Sequence, residues 1–422
     1  MTHPYTRVRR AIVVATAVGA LVVPIAGGAA TALPSSAAAP TPTATEPPSP
    51  PSSSSSAAGG VVELTPAVQQ QVDAAVQRVM KQASIPGVTV GIWTPDQGQY
   101  VKSFGVRDKS TGQPMDPGLY MRIGSETKTF TVTALLELVD QGKIGLDDTI
   151  GKYIDGVPNG DKITLRQLAG MRSGLFNYSA DEDFYKALTS DPQRPFTPQE
   201  LLGYSFKHPV LFPPGEKFYY CNTNLILLGL VVEKISGQKL GEFIQQHILD
   251  RAGMAHTLFP TGNEFPTPHS QGYTDQTATG KVEDSADWNP SWGWAAGAMI
   301  SQLQDLRTWA RTVATGVLPN GERLISPATQ RQRLITPPTP IPGAGYGLGI
   351  FNVQGWIGHN GSLPGYESLT IYLPSARATL VVVLNTDINY KNQEPSTLFG
   401  DAITTIISPN HVFNLPAEPA AR

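Results

Sequence analysis

Cysteine is almost absent from this chain of 422 residues: Cys221 is the only one. A single thiol cannot close an internal disulfide, so stability has to come from a packed core. Charge of one sign is also missing: 34 acidic and 31 basic residues leave a net charge of -3. No basic block points to nucleic acid, and no acidic tail points to a charged partner. The 7 histidines are scattered, with no His-Glu-x-x-His and no i,i+4 pair, so no metal site and no cofactor are expected. There is no Gly-x-Ser-x-Gly elbow, the turn on which many Ser-His-Asp hydrolases carry their nucleophile. Nor is there an apolar run long enough to stay in a membrane. The longest candidate runs from Ala11 to about Ala20, continues through Leu21-Val22-Val23, and is broken by Pro24, Gly27 and Gly28.

What surrounds that run explains it. Arg7-Val8-Arg9-Arg10 is a basic leader segment, and Ala30-Thr31-Ala32 fits a signal-peptidase site, with Ala37-Ala38-Ala39 as a second candidate. Residues 1–32 are therefore expected to be a signal peptide, and the protein to be secreted or held in the cell envelope with no stable membrane span after cleavage. Residues 33–60 are nearly all Pro, Ser, Thr, Ala and Gly, which cannot bury a core and read as a disordered linker.

Folded sequence is expected over 61–405, followed by a tail at 406–422. Thr65-Pro66 predicts a helix start, and Val68, Val72, Val76, Val79 and Met80 give its apolar stripe, ending near Gly87. Val88, Val90 and Ile92 alternate as a strand, and Tyr100 to Gly105 returns as a second. From 143 to 285 the pattern is helices and loops. Strands come back with Leu369, Ile371 and Leu373 and with Thr379–Leu384, and Leu398, Phe399, Ala402, Ile403 and Ile406 mark a closing helix. The expected fold class is α/β (α+β): an antiparallel sheet flanked by helices, from 61–142 and 286–405, with an all-helical insert at 143–285.

The chemistry is concentrated at Ser125-Glu126-Thr127-Lys128, which opens the long apolar stretch Phe130–Val139. On a helix, Lys128 lies one turn from Ser125 on the same face. A buried lysine loses its charge and can take a serine proton. The free N–H groups of the first turn can stabilise an oxyanion. A second Ser-x-x-Lys, Ser236 to Lys239, follows a helical run and carries Gly237, so it reads as a helix end. Two further polar motifs lie far along the chain. Tyr220-Cys221-Asn222 can place a phenol and an amide in one cleft, although a helix cap with a packed tyrosine would use the same residues. Cys221, between them, reads as passive. His359-Asn360-Gly361-Ser362 can supply a close backbone approach at Gly361 and an oxyanion donor at the Ser362 N–H, or it can be a hairpin turn built on Asn360-Gly361.

In order and spacing, the three motifs resemble the penicillin-recognising serine hydrolases, whose pattern is Ser-x-x-Lys, Tyr-x-Asn, then Lys or His-x-Gly. The likeness covers most of residues 61–405 and is strongest to secreted actinobacterial D-alanyl-D-alanine carboxypeptidases, class C β-lactamases and β-lactamase-like esterases. Leu135–Lys143, Met171–Leu175, Ser291–Gly297 and Gly345–Gly349 support it. The resemblance implies a β-lactamase/transpeptidase-like fold, with Ser125 as acylated nucleophile, Lys128 as its base partner and Tyr220 serving the leaving group. It implies that Asn222 binds the substrate amide carbonyl, that His359, Asn360, Gly361 and Ser362 are substrate-binding, with His359 replacing the lysine many relatives carry and the Ser125 and Ser362 N–H groups forming the oxyanion hole, and that Trp292 walls the cleft. The implied partners are a small peptide or ester substrate, peptidoglycan-derived, and β-lactams as covalent inhibitors or substrates; the protein is expected to be a monomer. The alternatives are an esterase, a class C-type β-lactamase, or a non-catalytic wall-binding protein. In the carboxypeptidases it resembles, an arginine after Tyr-Gly-Leu-Gly helps to hold the substrate's terminal carboxylate. Here Gly349 is followed by Ile350-Phe351-Asn352, with no basic residue before His359.

Overall fold

The computed structural model describes residues 60–415. The expected signal peptide and all but the last residue of the expected linker lie outside the described residues. Helix α1 (Pro66–Ala83) begins where Thr65 accepts from the Val68 N–H at 3.3 Å, with proline at the first helical position. It stops at left-handed Ser84, earlier than expected, because Gly87 already opens the first strand. A Cβ at Gly87 would lie 2.4 Å from the Val106 carbonyl oxygen, so that position is needed for strand packing.

Strands β1 (Gly87–Thr94), β2 (Gly98–Gly105), β3 (Ala344–Tyr346), β4 (Phe351–Val353), β5 (Trp356–Leu363), β6 (Tyr366–Leu373) and β7 (Ala378–Leu384) form one antiparallel sheet of 7 strands in the order β2-β1-β7-β6-β5-β4-β3. Chain ends therefore meet in the middle, where β1 pairs with β7 from Val88–Leu384 to Trp93–Thr379. Helices α2 (Thr127–Asp140), α3 (Asn222–Ser236), α4 (Leu303–Thr315) and α5 (Pro395–Ile407) are the longer of the remaining helices. Helices α1 and α5 pack on each other, while α4 lies against β6 and β7. With helices over both faces, β6 and β7 are buried along their whole length, which is why β7 reads as an unbroken apolar run.

Two boundaries differ from expectation. The 143–285 segment is not all helical, since Tyr273–Thr274 pairs with Glu283–Asp284 as a short ribbon. Its edge joins the main body through the Tyr273–Thr386 bridge, so these residues complete the sheet side of the molecule. The tail does not start at 406 either. Helix α5 runs to Ile407, Phe413 is buried against Gly400, and the Trp356 indole N–H donates to the His411 carbonyl at 2.7 Å. An indole N–H needs a partner when buried, and the returning chain provides it.

His359-Asn360-Gly361-Ser362 is not a hairpin turn. All four residues lie inside β5, paired with β6 from Ser362–Glu367 to His359–Thr370. The turn is at Pro364-Gly365, where Gly365 has φ +88°. Gly361 serves a close backbone contact, but with the protein itself rather than with a substrate. A Cβ there would lie 1.9 Å from the Ile123 carbonyl oxygen, in the segment that leads to Ser125. From the other side, a Cβ on Gly124 (φ +50°) would lie 2.6 Å from Ser362 N. These two glycines let the nucleophile segment sit directly on β5.

Alanine at Gly361 is expected to push the two segments apart. Stability should fall by roughly 1–3 kcal/mol, as for other overpacked sites, and Ser125 should react more slowly with a serine-directed acylating reagent. Thermal unfolding and the acylation rate check this together; an unchanged midpoint would mean that β5 can retreat at no cost.

Candidate active site

Gly124–Glu126 forms a single 3-10 turn before α2 begins at Thr127, so Ser125 stands just ahead of the helix rather than on it. In a 3-10 turn, residues three apart eclipse, and Lys128 comes directly over Ser125. Lys128 Nζ lies 2.8 Å from Ser125 Oγ and donates to the Ala296 carbonyl at 2.7 Å. The amine is fully buried (0% exposed), and desolvation drives its pKa well below the usual lysine value. A neutral amine can hold the Ala296 carbonyl with one N–H and offer its lone pair to the serine proton.

The position of Ala296 depends on a third element. Gly229 of α3 has no Cβ, and one placed there would lie 2.7 Å from the Ala295 side chain and 2.9 Å from the Trp294 ring. That gap lets the short helix Trp294–Gly297 rest on α3 and present its carbonyl to Lys128. Thr131 of α2 fixes the same helix by donating to the Ala295 carbonyl at 2.7 Å.

Tyr220 precedes α3 and is buried within hydrogen-bonding reach of Ser125. Burial raises its phenol well above the usual tyrosine value, and the neighbouring Tyr346 and Glu394 raise it further. It therefore keeps its proton, ready to pass one on. Its ring centroid lies 4.9 Å from Lys128 Nζ, so phenol, amine and nucleophile form one cluster. Cys221 is also buried, with its thiol pushed up to about 11, chiefly by burial, and is not a nucleophile.

Asn222 opens α3, but it does not cap the helix through its side chain. Its backbone N–H donates to Asn177 Oδ1 at 3.1 Å and its amide N–H to Ser179 Oγ at 3.2 Å. Among the described residues its Oδ1 has no partner. This differs from the expected role, because the amide end left for a substrate is an acceptor for an N–H, not a donor to a carbonyl.

His359 and Trp292 also differ from expectation. His359 Nδ1 donates to the Asn360 carbonyl at 2.5 Å, and the Tyr346 hydroxyl lies 3.1 Å from Nε2. Burial, with Lys128 nearby, pushes the imidazole down to about 3, so it is neutral and acts as a support behind Tyr220. Trp292 packs inward on Phe184 at 6.0 Å, and its carbonyl accepts from the Tyr178 hydroxyl at 2.6 Å. It holds the segment that ends at Ala296, rather than lining an open wall. Ser362 N lies against Gly124, the residue before Ser125. Asn360 points the other way along β5 and donates to Glu394 at 2.5 Å.

Three participating residues carried little sequence signal. Tyr346 lies in the Gly-rich stretch 345–349, Glu394 is 34 residues from Asn360, and Glu126 is one of the unspecified positions in Ser-x-x-Lys. Glu126 is fully buried beside the Ser368 and Thr370 hydroxyls, and burial pushes its carboxyl up to about 8. Above pH 4.5 an unfolded chain gives up that proton while the fold retains it. The unfolded state then binds fewer protons, so stability falls as the pH rises towards about 8. By pH 7 the loss from this group is on the order of 3 kcal/mol, at ~1.4 kcal/mol per pKa unit. Glu126→Gln is expected to remove most of that decline. Denaturant unfolding at pH 5 and pH 8 checks it, and parallel declines in the two proteins would exclude Glu126 as the titrating group.

Known proteins resemble this chain in sequence and fold. The Beta-lactamase family profile matches residues 72–398, from α1 through the nucleophile turn, Tyr220 and β5 to the start of α5. Protein flp of Staphylococcus aureus (strain MW2) is 27% identical over 336 residues, covering 78% of this chain and 65% of that protein, so the chain spans just under two thirds of that relative. The putative penicillin-binding protein PbpX of Bacillus subtilis (strain 168) is 24% identical over 294 residues, 69% of this chain and 68% of that protein. A D-stereospecific amidohydrolase from Streptomyces sp. superposes with a TM-score of 0.69 at 29% identity, covering 80% of this chain and 97% of that one. The D-amino acid amidase from Ochrobactrum anthropi SV3, complexed with L-phenylalanine amide, has the same fold with a TM-score of 0.69 at 24% identity, covering 81% and 96%. With its buried Ser125–Lys128–Tyr220 cluster set against the edge of an antiparallel sheet, the chain belongs to the Beta-lactamase family of serine hydrolases.

Proposed function

We propose that this protein is an exported serine acyl hydrolase that cleaves D-alanyl amide bonds in peptidoglycan stem peptides, with the chemistry of a D-alanyl-D-alanine carboxypeptidase-like peptidase. The observation that carries the reading is the 2.8 Å approach of buried Lys128, its pKa lowered by desolvation, to Ser125 Oγ, with buried Tyr220 beside both. Likeness to a Streptomyces D-stereospecific amidohydrolase supports an amide substrate of D configuration. The basic leader and apolar run ahead of the linker support export.

Lys128 takes the Ser125 proton as Oγ attacks the substrate carbonyl carbon. The oxyanion is held by the Ser125 and Ser362 N–H groups. The C–N bond breaks as the leaving nitrogen takes a proton through Tyr220, and the Lys128 amine returns a proton to the phenol. Water then attacks the Ser125 ester, losing its proton to the same pair, and free acid and serine are regenerated. All three side chains start uncharged or protonated as this sequence needs.

A fluorescent penicillin is expected to label the purified protein, and Ser125→Ala to abolish the label. Label retained by that variant would overturn the nucleophile assignment. Lys128→Ala should slow labelling by at least ~10³-fold, in the range seen when a member of a catalytic set is removed. A D-Ala-D-Ala peptide, its amidated form, a chromogenic cephalosporin and a short acyl ester should be compared as substrates. Turnover of the ester alone would favour an esterase, and fast cephalosporin turnover a β-lactamase.

A further inference from the structure

We propose that a cavity between helix α4 and the ends of β1, β7 and β6 binds a phosphate monoester of a sugar or polyol. Arg307, Arg311 and Arg377 take the phosphate, and the hydroxyls of Thr312, Tyr372 and Thr379 take the rest. This second site is separate from Ser125 and stands without the acyl-hydrolase reading.

Register lays its floor. Trp93 of β1 pairs with Thr379 of β7, and Thr379 pairs with Tyr372 of β6, so three side chains stand in one row on one face. Arg307, Arg311 and Thr312 of α4 line the same cavity, so the row faces that helix. Gly91 makes room for the indole, since a Cβ there would lie 2.1 Å from the Trp93 ring. The Arg307 guanidinium lies over that ring, 5.0 Å from its centroid, and the contact holds the arginine at the rim. The cavity measures about 470 Å³, inside the ~300–1,000 Å³ range of small-ligand sites. It is not an extension of the nucleophile cleft. Ser362 pairs with Glu367 on β6, and from Glu367 to Tyr372 the strand runs about 17 Å, at ~3.4 Å per residue.

Charge selects the ligand. The lining holds three arginines and no carboxylate. Arg377 is paired with Asp96 of the neighbouring turn at 2.6 Å. Arg307 and Arg311 stand four apart on α4, a spacing at which like charges work against the helix, and neither has an acidic partner among the described residues. Two positive charges are thus left over. A phosphate monoester carries close to two negative charges above its second pKa of about 6, whereas a phosphodiester or a single carboxylate carries one. Guanidinium forks also match phosphate oxygens two at a time.

The floor asks for more than an ion. Thr312, Tyr372 and Thr379 are buried, and their hydroxyls open on the cavity without a hydrogen bond to another described residue. Burial raises the Tyr372 phenol above the usual tyrosine value, and the Arg311 and Arg377 charges pull it back, so both guanidiniums act on this ring. Sugar or polyol hydroxyls donate and accept, and they reach a floor that an inorganic anion at the rim leaves unmet.

Calorimetric titration of the full chain with glucose 6-phosphate, glucose and sulfate tests the site, at about pH 7.5 and about 0.15 M salt, where the ester is dianionic and loose surface attraction is screened. Glucose 6-phosphate should saturate with a Kd of about 1 mM or tighter, glucose should show no binding, and sulfate should bind at least ~10-fold more weakly than the ester, having no hydroxyls for the floor. Arg311→Gln and the double variant Arg307→Gln/Arg311→Gln should each weaken the ester at least ~10-fold, as for a lost charged hydrogen bond. Both arginines are exposed, so neither change disturbs the core. Tyr372→Phe should weaken the ester about 3-fold or more and leave sulfate unmoved, as for a lost neutral hydrogen bond. Absence of saturable binding to the wild type would overturn the site. Sulfate binding as tightly as the ester would mean an adventitious ion only, and an ester affinity that neither arginine variant moves would place the ligand elsewhere.

Discussion

Everything in the site is arranged around one amine kept out of water. Lys128 is wholly buried and joins Ser125 to the Ala296 carbonyl. A charged ammonium at that depth would be expensive, so the group loses its proton and becomes a base. The surroundings follow from that requirement. Helix α2 is buried on nearly all sides from Thr127 to Leu138, and the hydroxyls of Thr129, Thr131 and Thr133 donate to the Glu126, Ala295 and Thr129 carbonyls so that no water is needed there. Helix α3 carries a glycine where the Ala295 segment must approach, and β5 carries another where the Ile123 segment must approach. Loosening either contact would admit water to the amine and return its charge.

The same dryness sets the protonation of the rest of the cluster. His359 is pushed towards neutrality from one side and Tyr220 from the other, and Glu126 retains its proton over much of the physiological range. The catalytic interior is thus a set of polar but uncharged groups. The charge that appears on the substrate oxygen during attack then meets fixed N–H dipoles and little competing field.

How much of this was legible in the sequence depended on range. Ser125 and Lys128 are three apart, and local helical geometry alone brings them together. The central strands were legible because β7 is a continuous apolar run and α1 has a cap, a proline and a stripe. Strands β3 and β4 were not, since three residues each within a glycine-rich stretch carry no usable period. The purpose of Gly361 is hidden in the sequence for a related reason. Its neighbour in space, Ile123, is more than two hundred positions away, and only the fold shows that the gap is filled by protein. Lys128's second partner is a backbone carbonyl, which leaves no trace in residue type. Asn222 and Trp292 make hydrogen bonds with Ser179 and Tyr178, which no motif marks.

Strand β5 presents different residues to its two faces. Successive residues point to opposite faces, so His359 and Gly361 support the nucleophile while Asn360 and Ser362 face α5. A one-residue slip of β5 would exchange the faces, placing Asn360 against the Ile123 carbonyl and losing the glycine that the contact needs. Pairing with β6 over seven residues, from Tyr366–Leu363 to Tyr372–Ile357, fixes the register against that slip. The nucleophile geometry therefore depends on strand register, which the whole sheet determines.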